Sequence, residues 1–435
     1  MWAAPCIDGP IDAVLTSLPG SKSMTNRALV LAALSDGPSV IDKALRSRDT
    51  ELMLAALQTL GVDVHIHEAS TISMTVEITP HVVQLPDPVA INVGLAGTVM
   101  RFLPPLAGLV NGDVLFDGDP AARRRPMATL VEAMRDVGIQ VDDGGNGRLP
   151  IAVSGRGHIP GGDVVLDASR SSQFVSALLL SSPRFEAGAT IHHVGTSIPS
   201  TPHIDMTIQM LAKHGVSVRS TPDPPIDDFQ RCTWHVDPQD VSARDWVIEP
   251  DVSNALPFIA AAMVTGGQLR IERWPSTSLQ PTSRVLEVLG AFGAHISRED
   301  STLTVQGPAH ITPIDMDLSD IGETAPTMAA IATFADGPSV LRGIGHLRGH
   351  ETDRLAALER EIGGLGCVIE ATDDGLHIQP ADLHGGSFRT YDDHRMATTA
   401  AIIGLKVPGV LVENIATTAK TLPDFPVLWS EITER

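Results

Sequence analysis

The sequence predicts an α/β (α+β) protein of two globular domains, on three observations: its length of 435 residues, a pattern that recurs six times, and alternating helical and strand segments within each copy. A chain this long exceeds what one hydrophobic core usually organises, so two sizeable domains are expected. Apolar residues make up 43% and charged residues 19%, a globular composition that gives no sign of disorder.

The repeat consists of a polar signature, an apolar helix rich in Ala and Leu, a glycine turn and a β-branched strand. In chain order the copies read SKSMTNRALVLAALSDGPSV, GLAGTVMRFLPPLAGLVNGDVLF, SRSSQFVSALLLSSPRFEAGATI, DVSNALPFIAAAMVTGGQLRI, GETAPTMAAIATFADGPSVLRG and DDHRMATTAAIIGLKVPGVLV. With Ser23, Gly97, Ser172, Ser253, Glu323 and Asp393 as equivalent helix starts, successive copies lie 74, 75, 81, 70 and 70 residues apart. Between them recurs a second helix that ends in Gly and a short strand, as in TELMLAALQTLGVDVHI and RVLEVLGAFGAHISRE. Six such units divide naturally into two domains of three. The stretch Pro222 to Asp245, with Pro-Asp-Pro-Pro and several acids, is where the pattern relaxes and is expected to be a linker.

Charge and cysteines narrow the function. A formal net charge of -21 excludes a general binder of nucleic acid or anionic membrane, which needs a positive face. Cys6, Cys232 and Cys367 are scattered, without CxxC spacing or a histidine cluster, so neither a disulfide framework nor zinc is expected and a cytoplasmic location fits. Met1 to Pro10 lacks a basic stretch followed by an apolar run, and nowhere do 18 apolar residues follow one another, so no export signal or membrane span is expected.

The chemistry sits at the helix starts, where unpaired backbone N–H groups and the helix dipole favour anions. Lys22, Arg27, Arg101, Arg125, Arg354, Arg395 and Lys420 lie in these signatures, which in an acidic chain points to a site for more than one phosphate or carboxylate. Gly20-Ser21-Lys22-Ser23 fails as a P-loop, since Ser21 and Thr16 stand where that motif needs glycine. His65-Ile66-His67-Glu68 reads as a surface strand rather than a metal site, having no third ligand. Glu323 and Glu351 open segments otherwise poor in charge; they are either the acid/base pair of a group transfer or simple helix caps.

The motifs PGSKSMTNRAL, LAGTVMR, RRRP, SSQF, STPHID, HETDR, DDHRMA and TAKTLPDF occur in the order seen in EPSP synthases, and the chain resembles that family over nearly its whole length. The resemblance implies two globular domains, each of three βαβαββ units, with helix N-termini facing an interdomain cleft. On this reading the domains are residues 19–243, and residues 1–18 with 244–435. It implies transfer of the enolpyruvyl group of phosphoenolpyruvate to the 5-hydroxyl of shikimate 3-phosphate by addition and elimination, a step of chorismate and aromatic amino acid biosynthesis.

Position by position, the resemblance assigns shikimate 3-phosphate to Lys22, Ser23, Arg27, Ser171, Ser172, Gln173, Ser200, Glu323 and His350, whose hydroxyls and amide would bind its phosphate and ring. Phosphoenolpyruvate falls to Lys22, Gly97, Arg125, Gln173, Arg354, Arg395 and Lys420. Glu351 and Lys22 would move protons at the reacting carbon, while Glu323 orients and activates the hydroxyl. No cofactor and no metal are implied, the partners expected are the two small-molecule substrates with no nucleic acid or membrane, and a monomer is expected. Leu95, Phe102, Glu323, His203 and His350 depart from the commonest family pattern and bear on contact geometry. Two rival functions are a UDP-N-acetylglucosamine enolpyruvyl transferase, whose loop cysteine is missing from GDPAARRRP, and a non-catalytic phosphoester-binding protein, against which the paired Glu323 and Glu351 speak.

Overall fold

The computed structural model describes residues 1–81, 84–85, 88–226 and 229–434. The chain forms two compact units, one of Met1–Pro19 with Glu249–Arg435 and one of Gly20–Ile248.

One architecture recurs in both. In the second copy the strand Val89–Asn92 leads through the helix Gly97–Ala107 to the parallel strand Asn111–Asp117. The helix Ala128–Asp136 then leads to Gln140–Asp142, and Ile151–Arg156 pairs antiparallel with both Asn111–Asp117 and Gln140–Asp142. Among the described residues there are five four-stranded sheets of this order and one three-stranded sheet. Three sheets are completed from a distance: Trp246–Val247 supplies the parallel neighbour of Ser39–Leu45, Asp12–Leu15 that of Gln268–Ile271, and Trp2–Ala3 an antiparallel neighbour of Val410–Val412.

The helices that follow the polar signatures are Lys22–Leu34, Gly97–Ala107, Gln173–Ser181, Val252–Thr265, Ala325–Ala332 and His394–Gly404. They begin within two residues of the starts read from the sequence. Apolar almost all round, they can only be central, and in each unit three of them pack against one another. Val252–Thr265 shows how the ends are set: Asp251 accepts from the Asn254 N–H at 3.0 Å, and Gly266, at φ 67°, closes the helix in the left-handed region.

The expected linker is for the most part not one. Val218–Ile226 and Phe229–Val236 form an antiparallel pair, and Val218–Ile226 is the edge strand of its sheet. An edge strand tolerates a proline whose nitrogen points away from its one neighbour or lies at an irregularity, and the register of this pair shifts between Asp223 and Ile226, so prolines that read as a break in the sequence are compatible with this strand. The chain passes between units at Pro19/Gly20 and at Ile248/Glu249. The histidine-rich segment forms the exposed strand Asp63–Ala69, where His67 pairs with Glu77 at 2.8 Å.

Candidate active site

In the 20–248 unit, side chains join the first turns of the three central helices. Asn26 Nδ2 donates to Thr98 Oγ1 at 2.6 Å, and Arg101 Nη1 donates to Gln173 Oε1 at 2.6 Å and to Ser171 Oγ at 3.5 Å. Ser21 caps the first helix, so Lys22 and Ser23 stand on its opening turn; Lys22 Nζ pairs with buried Asp49 at 3.2 Å.

Arg27 is 1% exposed and donates to Thr207 Oγ1 at 2.7 Å, to the Ser23 carbonyl at 3.0 Å, and to Ser176 Oγ and the His203 carbonyl. Its guanidinium also lies 5.1 Å from the Phe102 ring centroid. Burial alone pushes it down to about 9, which still leaves it cationic at neutral pH. Its partners are neutral oxygens, so its charge is solvated without being cancelled.

Arg125 is buried at 8% exposure, and its Nε has no hydrogen-bond partner. It sits between the short helix Pro120–Arg123 and Ala128–Asp136, not at a helix start as read from the sequence. Its guanidinium faces the glycine that opens the second central helix: a Cβ on Gly97 would lie 3.1 Å from both Nη1 and Nη2. Neither Arg27 nor Arg125 is in an ion pair among the described residues, although both are buried. Buried guanidinium groups of this kind favour an anion, which would supply the missing charge. Ser172 is buried just ahead of Gln173–Ser181, and Ser200 holds a left-handed backbone at φ 53°.

In the other unit the central helix starts are also joined. Arg395 Nη1 donates to the Ser253 carbonyl at 3.4 Å, Thr399 Oγ1 to the Pro326 carbonyl at 3.1 Å, and Asn254 Nδ2 to the Thr421 carbonyl at 2.9 Å. Here charges are matched. Glu351 is held by Lys420 on one carboxylate oxygen and by Arg354 Nη2 at 3.0 Å on the other. Arg354 in turn donates to both oxygens of Asp393, at 2.7 and 3.2 Å, and touches His350 Nδ1 at 3.3 Å. Because an arginine can only donate, the His350 Nδ1 accepts and its proton is on Nε2.

Burial opposes the charge on Arg354, but Asp393 and Glu351 outweigh it and hold its proton above the ordinary arginine range. For Arg395, burial and the Arg354 guanidinium both lower the affinity, and Glu323, Asp251 and Asp393 act the other way. Glu323 therefore belongs to the same electrostatic cluster.

Neither glutamate is the N-cap residue of its segment. Asp353, not Glu351, caps Arg354–Gly363 by accepting from the Ala356 N–H at 3.1 Å. Glu323 lies inside the single 3-10 turn Gly322–Thr324, whose N-cap Ile321 makes no side-chain bond. Lys22, Ser23, Arg27, Gly97, Arg125, Ser171, Ser172, Gln173 and Ser200 thus lie in the Gly20–Ile248 unit, and Glu323, His350, Glu351, Arg354, Arg395 and Lys420 in the other. The sequence reading missed the partners Asp49 and Thr207, which carry no motif, and gave Asp393 only a helix start, although it stands in the quoted DDHR.

A sequence profile of the EPSP synthase (3-phosphoshikimate 1-carboxyvinyltransferase) family matches residues 7–429. A 3-phosphoshikimate 1-carboxyvinyltransferase of Kocuria rhizophila is 50% identical over 436 aligned residues, covering 99% of this chain and 96% of that protein. Among solved structures, an EPSP synthase from Acinetobacter baumannii superposes with a TM-score of 0.79 at 22% identity, covering 99% of this chain and 98% of that one. The enolpyruvyl transferase NikO from Streptomyces tendae gives 0.73 at 16% identity, over 98% and 95% of the two chains. These last two likenesses concern the fold, whereas the profile match along nearly the whole chain and the half-identical relative reach the family: this protein belongs to the EPSP synthases.

Proposed function

We propose that the protein transfers the enolpyruvyl group of phosphoenolpyruvate to the 5-hydroxyl of shikimate 3-phosphate. The observation that carries this reading is 50% identity, over 99% of the chain, to a protein of that activity. The residues support it chemically. Phosphoenolpyruvate brings a phosphate and a carboxylate, and shikimate 3-phosphate brings another of each, which suits Lys22, Arg27, Arg125, Arg354, Arg395 and Lys420.

In the addition step the 5-hydroxyl oxygen bonds to C2 of phosphoenolpyruvate and gives up its proton, while C3 takes one and becomes a methyl group. In the elimination step C3 loses a proton, the bond from C2 to the phosphate oxygen breaks, and phosphate leaves. Glu323 orients and activates the hydroxyl; Glu351 and Lys22 deliver and remove the proton at C3. Ser23, Ser171, Ser172, Gln173, Ser200 and His350 supply hydrogen bonds to shikimate 3-phosphate, and Gly97 lets the backbone of its helix start approach phosphoenolpyruvate. Glu351 is poised for its task because Lys420 and Arg354 hold both of its oxygens, fixing its direction. We place the reaction in the cytoplasm and in a monomer, the former on the scattered cysteines. No helix among the described residues is long and apolar enough to cross a membrane.

The deciding experiment measures phosphate release from phosphoenolpyruvate with shikimate 3-phosphate and, in parallel, with UDP-N-acetylglucosamine. Turnover with the first alone is expected. Turnover with the second alone, or with neither, would overturn the reading.

A further inference from the structure

The strand Ala189–Gly195 alternates between buried and less buried residues, and its inward positions are Ala189, Ile191, His193 and Gly195. A histidine at a core-facing position, 1% exposed, must have both ring nitrogens satisfied or lose stability. His193 spends them on two different loops. Its Nδ1 accepts the Ala168 N–H at 3.1 Å, and its Nε2 meets the Thr196 carbonyl at 2.8 Å. An amide N–H can only donate and a carbonyl can only accept, so the ring is the neutral Nε2–H tautomer with its lone pair towards Ala168.

Both loops lead to residues of the proposed site. Ala168 ends the segment after Gly162–Leu166, and its carbonyl accepts from the Ser171 N–H at 2.9 Å, immediately before Ser172 and Gln173. Thr196 opens the segment that reaches Ser200 four residues later, and its carbonyl is also bonded by Ser169 Oγ at 3.3 Å. The crossing is tight. A Cβ on Gly195 would lie 2.2 Å from Asp167 Oδ1 and 2.5 Å from Ser169 Oγ, so a larger residue there would have to displace side chains of the Ala168 loop.

We propose that His193 is a positioning residue for shikimate 3-phosphate, one imidazole clamping the Ser171–Gln173 loop to the Ser200 loop through a donor and an acceptor bond. This rests on the reading that those residues hold that substrate. His193 reaches no reacting atom in this scheme, so it acts on substrate binding and leaves the chemical step alone.

The test uses three variants of the full chain. His193→Leu removes both bonds, His193→Asn keeps an acceptor near the Nδ1 position, and His193→Gln keeps a donor near the Nε2 position. In His193→Leu the KM for shikimate 3-phosphate should rise about 10-fold, with kcat and the KM for phosphoenolpyruvate within about 2-fold of wild type, and Asn and Gln should each recover part of the loss. Hydrogen exchange in the substrate-free protein should show lost protection at the Ala168 amide in the Leu and Gln variants and retained protection in the Asn variant.

Ser172→Ala serves as the check on the substrate placement. If it weakens shikimate 3-phosphate binding while folded His193 variants leave that KM unchanged, the positioning role is overturned. If Ser172→Ala also has no effect, the placement of the substrate has failed, and the Ala168 exchange alone decides whether His193 holds the loops. Should the Leu variant not fold, the Asn and Gln variants are judged on the same measurements, and equal, wild-type KM values in both overturn the proposal.

Discussion

Glu351 has a cation on each oxygen, and that arrangement distinguishes its two possible jobs. Glu351→Gln keeps the shape but cannot exchange a proton at its amide, so kcat should fall by about 100-fold or more with the KM for shikimate 3-phosphate little changed. Thermal unfolding of the same variant separates this from structural damage caused by loosening Lys420 and Arg354. Near-normal turnover would leave Glu351 only the task of holding those cations. Gly97 supplies a second residue-scale expectation. Its backbone lies outside the left-handed region, so alanine is conformationally allowed, but the new methyl would press on Arg125 at 3.1 Å and force the guanidinium to give by a few tenths of an ångström. The wild-type protein should be inhibited by glyphosate in competition with phosphoenolpyruvate, and Gly97→Ala should weaken the inhibitor more than the substrate. Comparing the inhibition constant with the KM in both proteins checks this; an equal effect on the two ligands would take Gly97 out of the pocket.

At the scale of elements, the strand Trp246–Val247 closes its sheet with only two residues and depends on a buried side-chain link. The Trp246 indole N–H donates to His214 Nε2 at 2.9 Å, and His214 Nδ1 donates to the Ser242 carbonyl at 2.7 Å. A protonated imidazole could not accept from Trp246. Burial lowers the His214 affinity for a proton below its ordinary value of 6.5, and Arg244 lowers it further, against the Ser242 carbonyl. With the folded value below the unfolded one, the unfolded chain takes up its proton first. The His214 contribution is therefore intact above pH 6.5 and declines as pH falls from there towards the folded value, by at most about 1.4 kcal/mol per pH unit. The melting temperature should consequently fall more between pH 7 and pH 5 in wild type than in His214→Gln, as followed by Trp fluorescence; equal slopes would remove His214 from the acid response. Elements were also where the sequence was most readable. Apolar helices such as FIAAAMV and glycine turns announce themselves locally, so the six starts could be placed to within two residues. The edge strand Val218–Ile226 could not, because its prolines are tolerated only by virtue of a place in the sheet that local sequence does not reveal. The site divides in the same way. Cations in motifs were visible, whereas Asp49, Thr207 and His193 gain their meaning from chain segments brought together only by folding.

For the whole molecule, the consequential feature is that the 249–435 unit is built from two separated stretches of chain. Residues 1–19 give it Trp2–Ala3, paired antiparallel with Leu411–Val412, and Asp12–Leu15, paired parallel with Gln268–Ile271. Ile11, Ala13 and Leu15 are buried in its core, and Asp12 pairs with Arg270 at 2.8 Å. Burying Ile11 and Leu15 contributes about 1.5–3 kcal/mol each before any strand bond is counted. Together the two burials come to about 3–6 kcal/mol, the lower end of the roughly 5–15 kcal/mol that separates a folded domain from its unfolded chain. Deleting residues 1–18 should therefore unfold or severely loosen Glu249–Arg435, exposing the edge of Gln268–Ile271 to pairing with other chains. The Gly20–Ile248 unit, whose sheets take no strand from the deleted stretch, should keep its amide protection. Hydrogen exchange resolved along the chain tests both halves of this expectation in one measurement. Uniform loss of protection would mean that the two units fold as one cooperative body, and unchanged protection in Glu249–Arg435 would mean that the N-terminal strands are dispensable.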